Sequence, residues 1–423
     1  MKRLLLFLSL LFPLLLGACQ APTAQLGVGE SSAPVSTTIP ATETALPEVA
    51  ATETVAVPVE TPPAGEPATP APVASPEKIT TSAVAPAGAF DYLVDSYYDE
   101  SGGWQLRGAR RTAAGWESAL VPLVEPVSVG GIDHVPGHHG ALIWDYSGSQ
   151  GAGPGRLAAG PLYLADLPSG SLETLVPGNV VSARWAPDGQ GYAYLLATEE
   201  TYELHVLDAA GADRVVARDV PREFTFAPDG SALAFTRESG YGLPGTPGLY
   251  VVDLTTGGEQ MLSDVDRGGT GGSGGGWLPL WSPDGAGLLL RASAGDGDRL
   301  IWAARDGAWR HALALDDLDA AAGAALGREN VCTNGEFLPT GATTLLAGAG
   351  PCSAEPLMGA MPEATHLVLL ELDPARGTLA PAGTVPAPVA SFLFLGYRPQ
   401  SNSVVLHSPA GPAETTIYEV ALP

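Results

Sequence analysis

Gly271-Gly272-Ser273-Gly274-Gly275 fits GxSxG, the spacing that lifts a nucleophilic serine onto a sharp strand-to-helix turn. Hydrolysis by such a serine needs an amphipathic helix after it and a partner base on a second element. Here more glycine follows, so the match reads as an accident of composition. Gly269 to Gly274 also spells GxGxxG, but neither a βαβ unit nor a distal acid accompanies it. Asp133, His134, His138 and His139 form the densest histidine cluster and carry donor atoms a metal could use. Their place in a tight turn favours a solvated turn instead. Asp296-Gly297-Asp298 and Asp316-Asp317-Leu318-Asp319 offer carboxylates to Ca²⁺ without the twelve-residue loop that would hold it. Arg222, Glu223 and Arg184 are the charged residues at the inner strands described below. No catalytic constellation and no cofactor or metal site emerges, and a non-enzymatic protein is expected.

Cysteine chemistry is more informative. Lys2 and Arg3, an apolar run from Leu4 to Leu16, and Gly17-Ala18 make residues 1–18 a signal peptide. The setting Leu16-Gly17-Ala18-Cys19 resembles the lipobox of bacterial lipoproteins. That resemblance implies cleavage before Cys19, a diacylglycerol on its thiol and an acylated amino terminus. Each buried CH₂ contributes about 0.8 kcal/mol, so several acyl chains give a durable anchor. A membrane partner through the N-terminal lipid and an extracytoplasmic location, at the cell membrane or the outer membrane, follow as expectations. Cys332 and Cys352 remain. Two thiols in an oxidising compartment favour a disulfide. Two separate buried thiols or a metal pair are the alternatives, although no CxxC or neighbouring His supports the metal.

Residues 19–77 read as a lipid-anchored linker. From 20 to 77 there are 7 Glu, no Lys, no Arg and no aromatic residue, and Ala, Pro, Thr and Val dominate. Such a segment cannot offset its ordering entropy, so a disordered stalk is expected. As a flexible coil it reaches roughly 45 Å. All 8 Trp and all 12 Tyr lie beyond it. The formal net charge of −26 makes a nucleic-acid partner a poor fit.

Residues 78–423 contain a repeat. WAPDGQGYAY (185–194), FAPDGSALAF (226–235) and WSPDGAGLLL (281–290) are its clear copies. Weaker ones begin at residues 84, 134, 337 and 397. The aligned prolines, Pro86, Pro136, Pro187, Pro228, Pro283, Pro339 and Pro399, are separated by 50, 51, 41, 55, 56 and 60 residues. Each turn is followed by a hairpin signature such as LYVVDLTTGGEQML (249–262). One unit is therefore strand A, a PDG turn, strand B, a loop, strand C, a glycine turn and strand D. In the clear turns Pro187, Pro228 and Pro283 fix φ, Asp188, Asp229 and Asp284 bond back to local backbone, and Gly189, Gly230 and Gly285 take a positive φ. Trp185, Phe226 and Trp281 are expected to point into the space between neighbouring sheets.

The pattern resembles the TolB-type, WD-like β-propeller repeat. The implied fold is all-β, a single propeller, with seven turns pointing to seven four-stranded blades and six or eight left open. The chain ends after a third strand, so a segment near Ile79 to Val84 is expected to complete the last blade. Chain direction places the tight A–B and C–D turns on one face. The insertions at 147–161, 239–248, 263–276, 314–330 and 353–365 fall on the other, where binding usually sits. The candidate binding residues there are Arg222, Glu223, Tyr241, Asp266, Arg267, Trp277, Arg328, Glu329 and Asn330. A scaffold for a protein, peptide or glycan ligand is the expected function. The alternatives are an envelope enzyme of glycan lyase, hydrolase or quinone-dependent dehydrogenase type, and a structural element of the cell surface.

Overall fold

A computed structural model describes residues 77–80, 90–98, 103–113, 115–124, 127–135, 138–146, 148–152, 157–239, 243–264, 278–294, 297–352, 363–409 and 414–423. All described residues belong to one compact unit, Ala68–Pro423. The signal peptide, Cys19 and nearly all of the linker lie outside them, as do Tyr241, Asp266, Arg267, Trp277 and the GxSxG stretch.

Within most sheets antiparallel strands follow one another in sequence order. The fourth sheet shows the unit plainly: Phe224–Phe226, Ala232–Arg237, Gly248–Asp253 and Glu259–Ser263, each paired to the next. The fifth (Leu280–Trp281 to Arg310–Ala314) and sixth (Val331–Pro339 to Thr378–Pro386) repeat it. An eight-stranded sheet contains two such quartets that share one long strand, Leu172–Trp185, with an eighth strand, Gly148–Ala152, paired to Leu157–Asp166 off the main path. The first part of the long strand pairs with Leu157–Asp166, ending the second quartet, and Val180 to Trp185 pairs with Tyr192–Ala197, opening the third. Divided there, the described strands make seven sheets, of which the first has three strands, Tyr92–Tyr98, Trp104–Thr112 and Gly115–Pro122.

Packing turns the series into a ring. Leu106 and Val121 meet Ala141 and Ile143 between the first and second sheets, and Trp144 and Leu162 meet Tyr192 and Tyr194 between the second and third. Leu195 and Leu204 meet Phe224 and Phe235; Ala234 and Leu249 meet Leu288 and Ile301. Leu300 and Trp302 meet Phe337 and Leu345, and Leu346 and Leu367 meet Val404 and Leu406. The seventh sheet returns to the first, where Val405 and Ile417 pack on Ala109 and Trp116. Each fully buried large side chain contributes about 1.5–3 kcal/mol, so every sheet is held by both neighbours and none could hide its faces alone. This is a β-propeller.

The expected closing strand is present two residues earlier than read, at Glu77–Thr80, paired with Glu414–Ala421. The repeat turns behave as their residue types dictate. Asp188, Asp229 and Asp284 accept from the backbone N–H two residues on, at 2.9, 3.0 and 3.0 Å. Gly189, Gly230 and Gly285 have φ of 67°, 71° and 69°, where a Cβ would strain the turn. Trp185, Phe226 and Trp281 pack against the interface with the preceding sheet, and Trp281 Nε1 donates to the Thr225 carbonyl of that sheet at 3.3 Å.

Two readings are corrected. The insertion at 314–330, taken as a loop, contains the one α-helix among the described residues, Leu315–Leu326. Asp317 caps its start by accepting from the Ala314 N–H at 3.0 Å, and Gly327 ends it in the left-handed region at φ 60°. Leu318 and Ala322 are buried, and Asp319 ties the helix to the next strand by accepting from the N–H and hydroxyl of Thr333 at 2.7 and 2.8 Å. The second correction concerns Asp133 and His134. They are not a solvated turn: Asp133 is built into the seam between the second and third sheets, and His134 is half-buried against the turn of its own sheet, as described below.

Cys332 and Cys352 form a disulfide. The bond joins the first two strands of the sixth sheet and closes a 20-residue separation. Such a loop contributes about 3 kcal/mol through the unfolded state. Cys332→Ser with Cys352→Ser is expected to lower the unfolding free energy by roughly that amount in urea titration; an unchanged midpoint would show that the hairpin gains nothing from the bond.

Candidate functional site

First strands of successive sheets lie side by side around the middle of the ring. A cavity of about 390 Å³ opens where three of them meet, lined by Gly130, Trp144, Tyr146, Leu157, Ala158, Val181, Ser182, Arg184, Arg222 and Glu223. The backbone makes room for its aromatics. A Cβ on Gly130 would lie 2.3 Å from the Tyr146 ring, and one on Gly131 would lie 2.1 Å from the Trp144 ring. Both rings therefore lie directly on the inner strand Val129–His134. Trp144 is buried, while Tyr146 remains 42% exposed, an open apolar surface at the rim.

Arg184 is held from several sides. Its Nη1 donates to the Ala183 carbonyl at 3.0 Å, and its guanidinium lies over the Trp144 ring at 5.4 Å. Nε stands 3.9 Å from Asp133 Oδ1, and Nη2 stands 3.7 Å from Glu223 Oε2. Both are ion contacts longer than a hydrogen bond. Asp133 is spent structurally, accepting from the Trp185 N–H at 2.7 Å. Burial raises its pKa, opposed by Arg184 and by that N–H. Arg222 reaches the cavity from the segment before Phe224–Phe226, and its carbonyl accepts from the Ser182 hydroxyl at 3.2 Å.

The neighbouring histidines serve the fold. His134 Nε2 donates to the His138 carbonyl at 3.1 Å, and the His138 ring packs on Trp185 with centroids 4.6 Å apart. Burial pushes the His134 imidazole below its ordinary range. Among the described residues no group of three His, Cys, Asp or Glu side chains is placed to hold a metal ion.

The predicted residues thus separate. Arg222, Glu223 and Arg184 come together. Arg328, Glu329 and Asn330 do not join them; they follow the helix and line a separate, shallow hollow of about 580 Å³ with Asp319, Gly323 and Gly327. Trp144, Tyr146 and Ser182 were missed, and the signal that could have found them is the Gly130-Gly131 pair in an inner strand. A hollow of about 570 Å³ opens on the tight-turn side between the fourth and fifth sheets, around Asp253, Gln260, Arg305 and Trp309. Its guanidinium is already engaged: Arg305 donates to Asp229 at 3.0 Å and to the Ser231 hydroxyl at 2.6 Å. The Ser231 N–H and hydroxyl, with Arg305, hold the Asp229 carboxyl down at about 2.

No family model matches the chain, and no curated protein matches it. Solved structures do. TolB from Acinetobacter baumannii is similar at 14% identity and TM-score 0.35, over 68% of this chain and 66% of that one. The β-propeller domain of the Trilobed protease from Pyrococcus furiosus is similar at 11% and 0.41, over 79% and 94%. A chain of the nidogen/laminin complex is similar at 11% and 0.36, over 68% and 92%. The propeller assignment rests on strand order and on the cyclic packing of the sheets.

Proposed function

We propose that this chain is a membrane-anchored extracytoplasmic lipoprotein whose propeller is a non-enzymatic scaffold for a protein, peptide or glycan ligand. The reading is supported most by one arrangement: an exposed tyrosine ring and two arginines, contributed by three successive sheets, share one opening at the inner strands. Arg184 sits within a strand, and Tyr146 and Arg222 flank strand ends, so binding there costs little reordering. The lipobox-like segment at Cys19 supports the anchor.

The test uses the full chain on peptide and glycan arrays and in cell fractionation. Tyr146→Ala and Arg222→Gln are expected to weaken capture of array ligands about tenfold or more, whereas Arg305→Gln, on the tight-turn side, leaves capture unchanged. Cys19→Ala is expected to move the chain from the membrane to the soluble fraction and to remove the lipid mass from its amino terminus. Capture lost only with Arg305→Gln would overturn the site. Turnover of an array ligand that disappears with Glu223→Gln would replace the scaffold by an enzyme.

A further inference from the structure

The cavity has two halves of different chemistry. Leu157, Ala158, Val181 and the rim ring of Tyr146 form an apolar side, and Arg184, Arg222 and Glu223 form a charged one with two guanidinium groups to one carboxylate. We propose that it takes the last residue of a peptide chain, with the terminal carboxylate against the two guanidinium groups and an apolar side chain on the tyrosine side. The proposal rests on the binding-scaffold reading and names its ligand.

Three observations carry it. A guanidinium fork matches a carboxylate in plane and spacing, and Arg184 is oriented beforehand by the Ala183 carbonyl, the Trp144 ring and Asp133. Fixing an arginine in advance removes the rotamer cost a ligand would otherwise meet. Next, the volume of about 390 Å³ has room for a terminal residue. Last, a net charge of −26 repels a polyanion, while a ligand with a single carboxylate on an otherwise neutral chain loses little to that repulsion. An acidic polysaccharide is therefore disfavoured against a peptide terminus.

Glu223 has a specific place in this scheme. Its carboxylate stands 3.7 Å from Arg184, where it competes with an incoming carboxylate for the same cation. Removing its charge strengthens the site for an acid, an effect that a merely structural role would not produce.

The measurement is fluorescence anisotropy of the full chain against hexapeptide pools, each pool fixed at one of the twenty C-terminal residues and randomised upstream. Every pool is prepared as the free acid and as the C-terminal amide, and an oligogalacturonate and a neutral oligosaccharide run beside them. Pools ending in an apolar residue are expected to bind as free acids and to weaken about tenfold or more as amides. Arg222→Gln should remove that difference between acid and amide, and Glu223→Gln should tighten the free acid about fivefold. Tyr146→Ala, which removes only a rim ring, should weaken all apolar-ended pools together. Equal binding of acid and amide would overturn the proposal and leave the scaffold reading intact. Arginine-dependent binding of oligogalacturonate without any peptide pool would replace the peptide by an acidic sugar. Failure of every free-acid pool would also overturn it, and the array capture above then decides separately whether the face binds anything.

Discussion

Trp302→Ala is expected to lower the unfolding free energy of the propeller by about 4 kcal/mol, the middle of the range for a buried tryptophan cut to alanine. The residue is 1% exposed and packs between the fifth and sixth sheets with Leu289, Leu313, Phe337 and Leu345. Its Nε1 donates to the Ala342 carbonyl of the sixth sheet at 3.0 Å, so the cut opens a cavity and strips an acceptor at once. Domains are stable by only about 5–15 kcal/mol, which makes this loss a large share of the total. Trp302→Phe, which keeps most of the volume and loses the donor, should cost less than half as much. Urea titration followed by circular dichroism measures both. A loss under about 1 kcal/mol for the alanine variant would mean that the two sheets do not meet at this residue.

Acid is expected to act through His407. The imidazole is 2% exposed in the seventh sheet, neither ring nitrogen has a hydrogen-bond partner among the described residues, and the fully buried Arg107 of the first sheet is its charged neighbour. Burial, then the Arg107 guanidinium, lower its pKa from 6.5 to about 4. The folded state thus prefers the neutral ring. Its contribution is complete above pH 6.5, declines as the pH falls below that value, and is gone below about 4. A shift of this size corresponds to about 3 kcal/mol. His407→Leu should remove this component, so the stability of the variant relative to the wild type should rise by about 3 kcal/mol as the pH is lowered from 7 to 4, whatever the offset at pH 7. His134 and His366 are also lowered by burial and have the same sign, which is why the difference between the two proteins, not the wild-type curve alone, is the reading. A constant gap between wild type and variant across the range would remove His407 from the account.

Much of the architecture was legible because a propeller writes its turns repeatedly. Pro283, Asp284 and Gly285 each have a job that few other residue types can do, so three copies suffice to reveal the unit. The helix at Leu315–Leu326 escaped because Ala and Gly fill most of its second half, and in a chain rich in both they resemble loop composition. Its readable signals were Asp317 at the start and Gly327 at the end. Asp133 was misjudged for a different reason: sequence places it near a turn, but only the neighbouring sheet supplies the Trp185 N–H and the Arg184 guanidinium that occupy it. The cavity was half legible. Charged Arg222 and Glu223 stand out just before an inner strand, whereas Trp144 and Tyr146 look like ordinary alternation until Gly130 and Gly131 are seen to lie beneath them.

The strand Glu77–Thr80 lies alongside Glu414–Ala421, from the far end of the described residues. Among the described residues, the first β-strand to emerge during synthesis therefore has no partner until Glu414–Ala421 has followed it. Six seams can form as the chain lengthens; the remaining one waits for that strand, and export of a chain lacking it would leave a sheet edge open to self-association.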